Sequence, residues 1–420
     1  LGNILFHAAA CVLLLFLLRR GPWSAGVALW GALLFAVHPV HCESVAWMAA
    51  RKDVLSGALA FSSIIVYLKF LDESGRARAA VLWLAAAVLW TASFYAKPVA
   101  IAAPALLAAW VVFLEPRGES GARLKKGLLG LAPMLPAGAA LVWTLAGAAA
   151  RYDVVKDYLG GSFWTAQFAN GYILLRYVEL LAAPVRLCVN HAVRAPEGWT
   201  DPLYLGSWAA VAALAAGYVY LARGRRWMWF FPAWFVAALA PVLQFVPTAV
   251  YLADRYLYIP SVAWCAGVAL AAEAGARRLA GKNSRAPVIA AVALGILAAV
   301  YVAGTVSRNT VWRDSETLWQ DTLDKYPRSL HALNNLALHY KDTGDYELAE
   351  EYLLRSLEVA PALAAYVNLG SIYSELDRPE KAVEYLEKAR GLDPDNPRLL
   401  KSLGFAYYQK GDYRPAATTM

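Results

Sequence analysis

Long apolar runs separated by short polar connections fill the first three quarters of the chain, and helical amphipathic spacing fills the rest. Mostly apolar runs lie at 3–18, 22–37, 54–71, 79–96, 98–114, 127–149, 204–222, 227–246, 259–275 and 287–306. Each approaches the roughly 20 residues that a spanning helix needs, and shorter ones are tolerated inside a bundle. The segment 171–189 breaks the series because it carries Arg176, Glu179 and Arg186. The pattern predicts an all-α chain whose larger part is a polytopic helical bundle.

From Trp312 onward the composition turns polar and a repeat begins. Pro327, Pro361 and Pro394 recur at intervals of 34 and 33 residues. Asn335-Leu336-Ala337, Asn368-Leu369-Gly370 and Ser402-Leu403-Gly404 align, each followed by a tyrosine (Tyr340, Tyr373, Tyr407), and Ala349, Ala382 and Ala416 line up behind them. Gly344-Asp345-Tyr346 returns as Gly411-Asp412-Tyr413. Paired helices that meet through small residues and stack on the next pair make a tetratricopeptide-repeat solenoid. The tyrosines and alanines are packing positions, and ligand binding in such an array belongs to its concave groove, which usually holds an extended peptide. Trp312–Pro327 reads as the second helix of a preceding, degenerate unit. A last repeat that stops at Met420, and a first apolar run that starts at Leu1, suggest a sequence cut at both ends.

Composition agrees with a membrane protein: of 420 residues, 60% are hydrophobic and 17% charged, against about a quarter charged in soluble domains. The 16 Trp and 23 Tyr suit interfacial aromatic belts. A net charge of +8 does not point to nucleic acid, because most of the basic residues sit in short loops where positive charge sets topology. The basic loops are Arg19-Arg20, Arg76 with Arg78, Arg117 to Lys126, Arg223 to Arg226 and Arg277 to Arg285. All five share one face only if 171–189 does not cross, which makes 151–203 a far-side segment with an interfacial or partly inserted helix. The His38–Asp53 connection, the Tyr95–Pro98 corner, Tyr251–Pro260 and everything after 306 then share the non-cytoplasmic face. Cys11, Cys42, Cys188 and Cys265 are scattered, with no CxxC or Cys/His spacing, so neither a disulfide framework nor a zinc site is expected.

Candidate chemistry gathers on that far face. His38-Pro39-Val40-His41-Cys42-Glu43, followed by Arg51, Lys52 and Asp53, crowds ionisable groups between two apolar runs. Such groups are expensive at membrane depth and mark functional sites by default. The plain alternative is a solvated loop that only turns the chain. Lys97 before Pro98 is either functional or a snorkelling lysine at a helix end. Asp254-Arg255-Tyr256-Leu257-Tyr258 forms a second charged and aromatic cluster at a helix start.

Taken together, the His38–Val45 stretch, Ala253–Ser261 and Arg308-Asn309…Trp312…Asp314 are similar to the transmembrane and tetratricopeptide-repeat O-mannosyltransferase family and its prokaryotic homologues. The likeness covers essentially the whole chain in the right order. It implies a GT-C type membrane glycosyltransferase that takes a sugar from a polyprenyl-phosphate donor and passes it to an acceptor, for the eukaryotic members a protein hydroxyl, on the non-cytoplasmic face. Enzymes of that type carry a catalytic Asp or Glu in the first far-side loop, which would precede Leu1, so the chain alone is expected to be inactive. The family often has Lys-Glu where this chain has Lys97-Pro98, which weakens an acid role at that corner.

An inverting transfer needs a base near the acceptor hydroxyl and positive charge near the departing phosphate. Arg51, Lys52, Lys97 and Arg255 are the far-side cations for a lipid phosphate, Arg being suited to bidentate contacts. Asp254, Tyr256 and Tyr258 belong to the same binding cluster, and Asp254 is expected to hold Arg255 in an ion pair. Glu43, His41 and His38 are the candidate catalytic groups, to orient the acceptor, bind a divalent ion or act as secondary bases. No metal ligand set is assigned, and the cofactor expected is the lipid-linked sugar itself.

The resulting organisation is a glycosyltransferase-like membrane domain at 1–306, a connecting helix or degenerate repeat at 307–329, and repeats at 330–420 that recruit the acceptor protein or peptide. The competing reading is a membrane-anchored repeat scaffold without catalysis. A transporter fits less well, because no inverted repeat of broken helices appears. Ala-rich spans and short loops lean prokaryotic, placing the far face outside the inner membrane. In a eukaryote it would be the lumen of the endoplasmic reticulum.

Overall fold

The structure, a computed structural model, describes residues 1–115, 121–151, 158–248, 250–280 and 285–419. The basic positions Arg117 and Lys282 and the opening of the 151–203 segment lie outside the described residues. Among the described residues every regular element is helical. The chain divides into two compact units, Leu1–Leu187 with Val193–Asn309, and Cys188–Ala192 with Thr310–Met420.

In the first unit the helices Gly2–Leu18, Ala25–Val37, Arg51–Asp72 and Arg76–Ala96 pack around Leu14, Phe35, Phe61, Ile64 and Trp90. Small polar residues tie them together. Ser56 Oγ donates to the Ser93 carbonyl at 3.1 Å, and Ser63 Oγ to the Ala86 carbonyl at 2.7 Å. Short side chains let the backbones approach, which is how helices associate where lipid offers no hydrophobic drive. Among the described residues five helices are long and apolar enough to cross a membrane: Met48–Asp72, Arg76–Ala96, Ala122–Thr144, Pro202–Ala222 and Ala286–Val311. The chain is an integral membrane protein.

Several expected spans are shorter or broken, and proline explains most of the difference. The run 227–246 holds only a ten-residue helix, Phe230–Leu239, between 3-10 turns at Arg226–Trp229 and Ala240–Val242. Pro241 supplies no N–H and crowds the preceding turn. The run 98–114 opens as a 3-10 turn at Pro98–Ala102 before the helix Ala103–Phe113. The helix Ala25–Val37 starts on a Ser24 cap, whose Oγ accepts from the Val27 amide at 3.1 Å. It ends at His38, which Pro39 holds extended, and the chain resumes as Pro39–Ala46 at an angle of 49°. The ambiguous segment forms the helix Phe163–Ala182, opened by a reciprocal Ser162–Thr165 capping box and closed before Pro184. It is not among the helices apolar enough to span.

In the second unit the helices Ser315–Lys325, Leu330–Thr343, Tyr346–Val359, Leu363–Glu375, Pro379–Arg390, Pro397–Lys410 and Tyr413–Thr419 stack in sequence. Gly344 and Gly411 end their helices at φ of 85° and 86°, the left-handed cap that glycine adopts without strain. Asp314 caps the first of these helices, accepting from the Thr317 amide at 2.8 Å and the Thr317 hydroxyl at 2.7 Å. Those hydrogen bonds hold its carboxyl down at about 2. Asp314 thus has a capping role in the repeat unit.

Candidate functional site

The His38–Asp53 connection is not a solvated loop. It folds as a 3-10 turn at Pro39–His41, a helical turn at Cys42–Ala46 and a 3-10 turn at Met48–Ala50, and His38, His41, Glu43 and Asp53 are buried. Buried polar and ionised groups need partners, and each of these residues has one. Arg255 donates to Glu43 twice, from its backbone amide to Oε2 at 2.8 Å and from its guanidinium to Oε1. Asp53 pairs with Lys97. The ion pair of Arg255 is therefore with Glu43, 212 residues away in sequence, where Asp254 had been expected.

Both histidines are committed to the scaffold. His38 Nδ1 accepts from the Val40 amide at 3.2 Å, so its Nε2–H donates to the Leu181 carbonyl at 3.1 Å. Ser261 Oγ donates to the Tyr258 carbonyl at 2.8 Å and so accepts from His41 Nε2 at 2.9 Å. For His38 this pattern fixes the neutral Nε2–H tautomer, and His41 carries its proton on Nε2 toward Ser261. Two further polar residues, absent from the sequence reading, complete the layer. His7 Nδ1 meets the Tyr258 hydroxyl at 2.9 Å, and Asn3 Nδ2 donates to the Val45 and Trp47 carbonyls at 3.2 and 2.9 Å. Asn3, His7 and Cys11 recur at i, i+4 on the helix Gly2–Leu18, so one face of an apparently apolar run carries a polar stripe. That spacing was the signal available in the sequence.

The cations separate into two groups. Lys97 and Arg255 converge on Tyr256, at 5.5 and 5.1 Å from its ring centre, and Arg255 also lies 5.9 Å from the Trp47 ring. Cations at these distances are held by the ring quadrupole. A small, narrow cleft is lined by Asp53, Ser56, Lys97, Arg255, Tyr256 and Tyr258. Burial pulls the Lys97 pKa downward, as do Arg255 and Lys52, while Glu43 opposes them. The Asp53 carboxylate in contact with Lys97 also favours the ammonium. Arg51 and Lys52 do not line the cleft; both are exposed, and Arg51 Nε donates to Asn3 Oδ1 at 3.3 Å. Asp254 is buried within the 3-10 turn Asp254–Leu257, which sets the direction of Arg255. Tyr258 is buried with its ring 4.9 Å from that of His41. Among the described residues no three His, Cys, Asp or Glu side chains converge as a metal site.

Comparison with known proteins places these features. Residues 328–395 and 374–420 match tetratricopeptide-repeat family models. The protein O-mannosyl-transferase Tmtc3 of Drosophila melanogaster is 24% identical over 94% of this chain and 50% of its own length. The mouse TMTC3 enzyme is 24% identical over 93% of this chain and 45% of its own, and human TMTC4 is 26% identical over 83% and 53%. The chain is a homologue of these protein O-mannosyl-transferases. It spans about half the length of the curated relatives it matches. Yeast Tom70, a solved structure matched over 93% of this chain and 86% of its own at 13% identity, superposes with a TM-score of 0.25, too low to bear on the fold. The helical membrane unit followed by tetratricopeptide repeats agrees with the homology.

Proposed function

We propose that this protein is a GT-C type membrane glycosyltransferase that moves mannose from a polyprenyl-phosphate donor to a protein hydroxyl on the non-cytoplasmic face. The observation that carries this reading is the convergence of Lys97 and Arg255 on Tyr256 beside one small cleft, in a chain homologous to protein O-mannosyl-transferases. Negative charge develops on the departing phosphate as the glycosidic bond breaks. Preorganised cations that already face that position stabilise it without reorganising.

The neighbours of the cleft hold rather than react. Both Glu43 oxygens accept from Arg255, which fixes the guanidinium against the Tyr256 ring, so Glu43 is assigned as a positioning residue. Asp53 does the same for Lys97. His38 and His41, each pinned through Nε2, join the connection to the helices Phe163–Ala182 and Ser261–Ala280. Residues 1–306 are assigned the transfer and 330–420 the recruitment of acceptor, with the basic loops Arg19-Arg20 and Arg223–Arg226 on the cytoplasmic side. In the repeat unit a groove lined by His331, Asn335, Val367, Asn368 and Arg398 supports the recruiting role, because side-chain amides pair with the backbone of an extended peptide.

The test is a transfer assay on membranes carrying this chain within its natural full-length protein, with radiolabelled polyprenyl-phosphate mannose and the native lumenal or periplasmic proteins as acceptors. Label is expected to move to protein, and Lys97→Met to slow it about 100-fold, the usual cost of removing one charge-stabilising group. Unchanged turnover would remove Lys97 from the phosphate site. Peptide capture by the repeats without any transfer would favour the scaffold reading, which the same groove supports.

A further inference from the structure

A second groove lies along the other end of the helix Ser261–Ala280, away from the Glu43–Arg255 cleft. Ser261 contacts His41 at the cleft end of that helix, and Arg277 stands 16 residues further on, about 24 Å at 1.5 Å per residue. An apolar groove follows this helix past Trp264, Gly267, Ala271 and Ala274. Its opposite wall includes Phe231 and Phe235. A side chain at Gly267 would meet nothing nearer than the Phe231 ring at 3.8 Å, so the groove is open at its middle. From Trp264 to Ala274 it runs about 15 Å, half the thickness of a hydrocarbon core of about 30 Å.

Beside the groove lies a polar pocket lined by Ser24, Arg225, Glu273, Arg277 and Arg278. Arg225, Trp227, Leu270 and Ala274 border both spaces, so the two adjoin. Three guanidinium groups face one carboxylate there. Glu273 is already engaged, accepting from Arg277 at 2.6 Å and from the Ser24 hydroxyl. Among the described residues Arg225 donates to the Leu221 carbonyl at 3.4 Å and has no acidic partner, and Arg278 is exposed with no acidic partner either. Uncompensated cations at the mouth of an apolar groove one leaflet deep match a ligand with an anionic head and a hydrocarbon tail.

We infer that this groove and pocket bind one anionic phospholipid, its acyl chain against Gly267 and Ala271 and its phosphate against Arg225 and Arg278. The pocket borders the basic Arg223–Arg226 connection, which the positive-inside rule assigns to the leaflet where anionic lipids concentrate. The site does not depend on the transfer reading, since it shares no lining residue with the cleft.

The test is native mass spectrometry of the detergent-solubilised protein, supplied with equal amounts of phosphatidylglycerol and phosphatidylcholine. The protein should retain one phosphatidylglycerol with a preference of about tenfold or more, as two surface cations confer, and soluble glycerol phosphate should not displace it. Arg225→Gln with Arg278→Gln should abolish the preference, and Gly267→Leu, which fills the groove, should abolish retention of either lipid. Equal retention of the two lipids by the unaltered protein would overturn the assignment. So would an undiminished preference in the arginine variant, undiminished retention in Gly267→Leu, or displacement by glycerol phosphate. Thermal unfolding of each variant in detergent identifies any that fail to fold, and the choice between the two lipids by the unaltered protein needs no variant.

Discussion

Glu43→Gln is expected to stop mannosyl transfer and also to cost about 3–5 kcal/mol of stability, the range for removing one partner of a buried ion pair. Glu43 is buried and the side chain of Arg255 largely so, so the guanidinium left behind keeps its charge without a counter-charge. The glutamine retains one oxygen for the Arg255 amide but cannot neutralise the guanidinium. Replacing both members, Glu43→Leu with Arg255→Met, should recover most of the stability, because no isolated charge remains. It should not recover transfer. Thermal unfolding in detergent checks the first half, and label transfer in membranes checks the second. A double variant as unstable as Glu43→Gln would show that the pair does more than neutralise itself, and transfer by that variant would remove Arg255 from the phosphate site.

The second large effect belongs to the repeat unit. A Cβ at Gly370 would stand 2.4 Å from Leu386 Cγ and under 3 Å from both of its methyl groups. The two residues lie on the paired helices Leu363–Glu375 and Pro379–Arg390, and Leu386 is fully buried. Gly370→Leu must therefore spread the pair, at a cost of about 1–3 kcal/mol or more for overpacking. Leu386→Ala alone leaves a cavity and costs about 2–5 kcal/mol. The double variant exchanges the volumes across the contact and should be more stable than the sum of the two losses implies. Hydrogen exchange should show the loss confined to the helices adjoining 363–390, because each repeat is stabilised mainly by its neighbours. Additive losses would mean that the contact is not the constraint at Gly370.

The sequence carried the repeats almost completely. Each turn of the pattern, such as Asn368-Leu369-Gly370 with Tyr373 and Ala382, encodes a local helix pair, and local contacts are what periodicity reports. The membrane unit was legible as apolar runs but not in its breaks. Pro241 follows the end of a helix inside a run that read as continuous, and Pro98 opens its run as a 3-10 turn, because hydropathy does not register a missing N–H. The candidate residues were legible by type. Their pairing was not, since Glu43 finds Arg255 and Asp53 finds Lys97 only through packing of helices distant in sequence. The same holds for His38 and His41, whose partners Leu181 and Ser261 lie 143 and 220 residues away. His7 and Asn3 were passed over because the run around them is apolar on average, while only the i, i+4 spacing of its polar face betrays them.

Photolabelling with a polyprenyl-phosphate mannose that carries a photoreactive group on the isoprene next to the phosphate tests the assigned cleft most directly. Peptide mapping after irradiation of membranes carrying the protein should place the label on the segments around Lys97 and Arg255–Tyr258. The labelling should fall about 100-fold in Lys97→Met with Arg255→Ala, whose cations hold the phosphate. Label confined to other helices, or undiminished in that double variant, would contradict a donor phosphate held between Lys97 and Arg255.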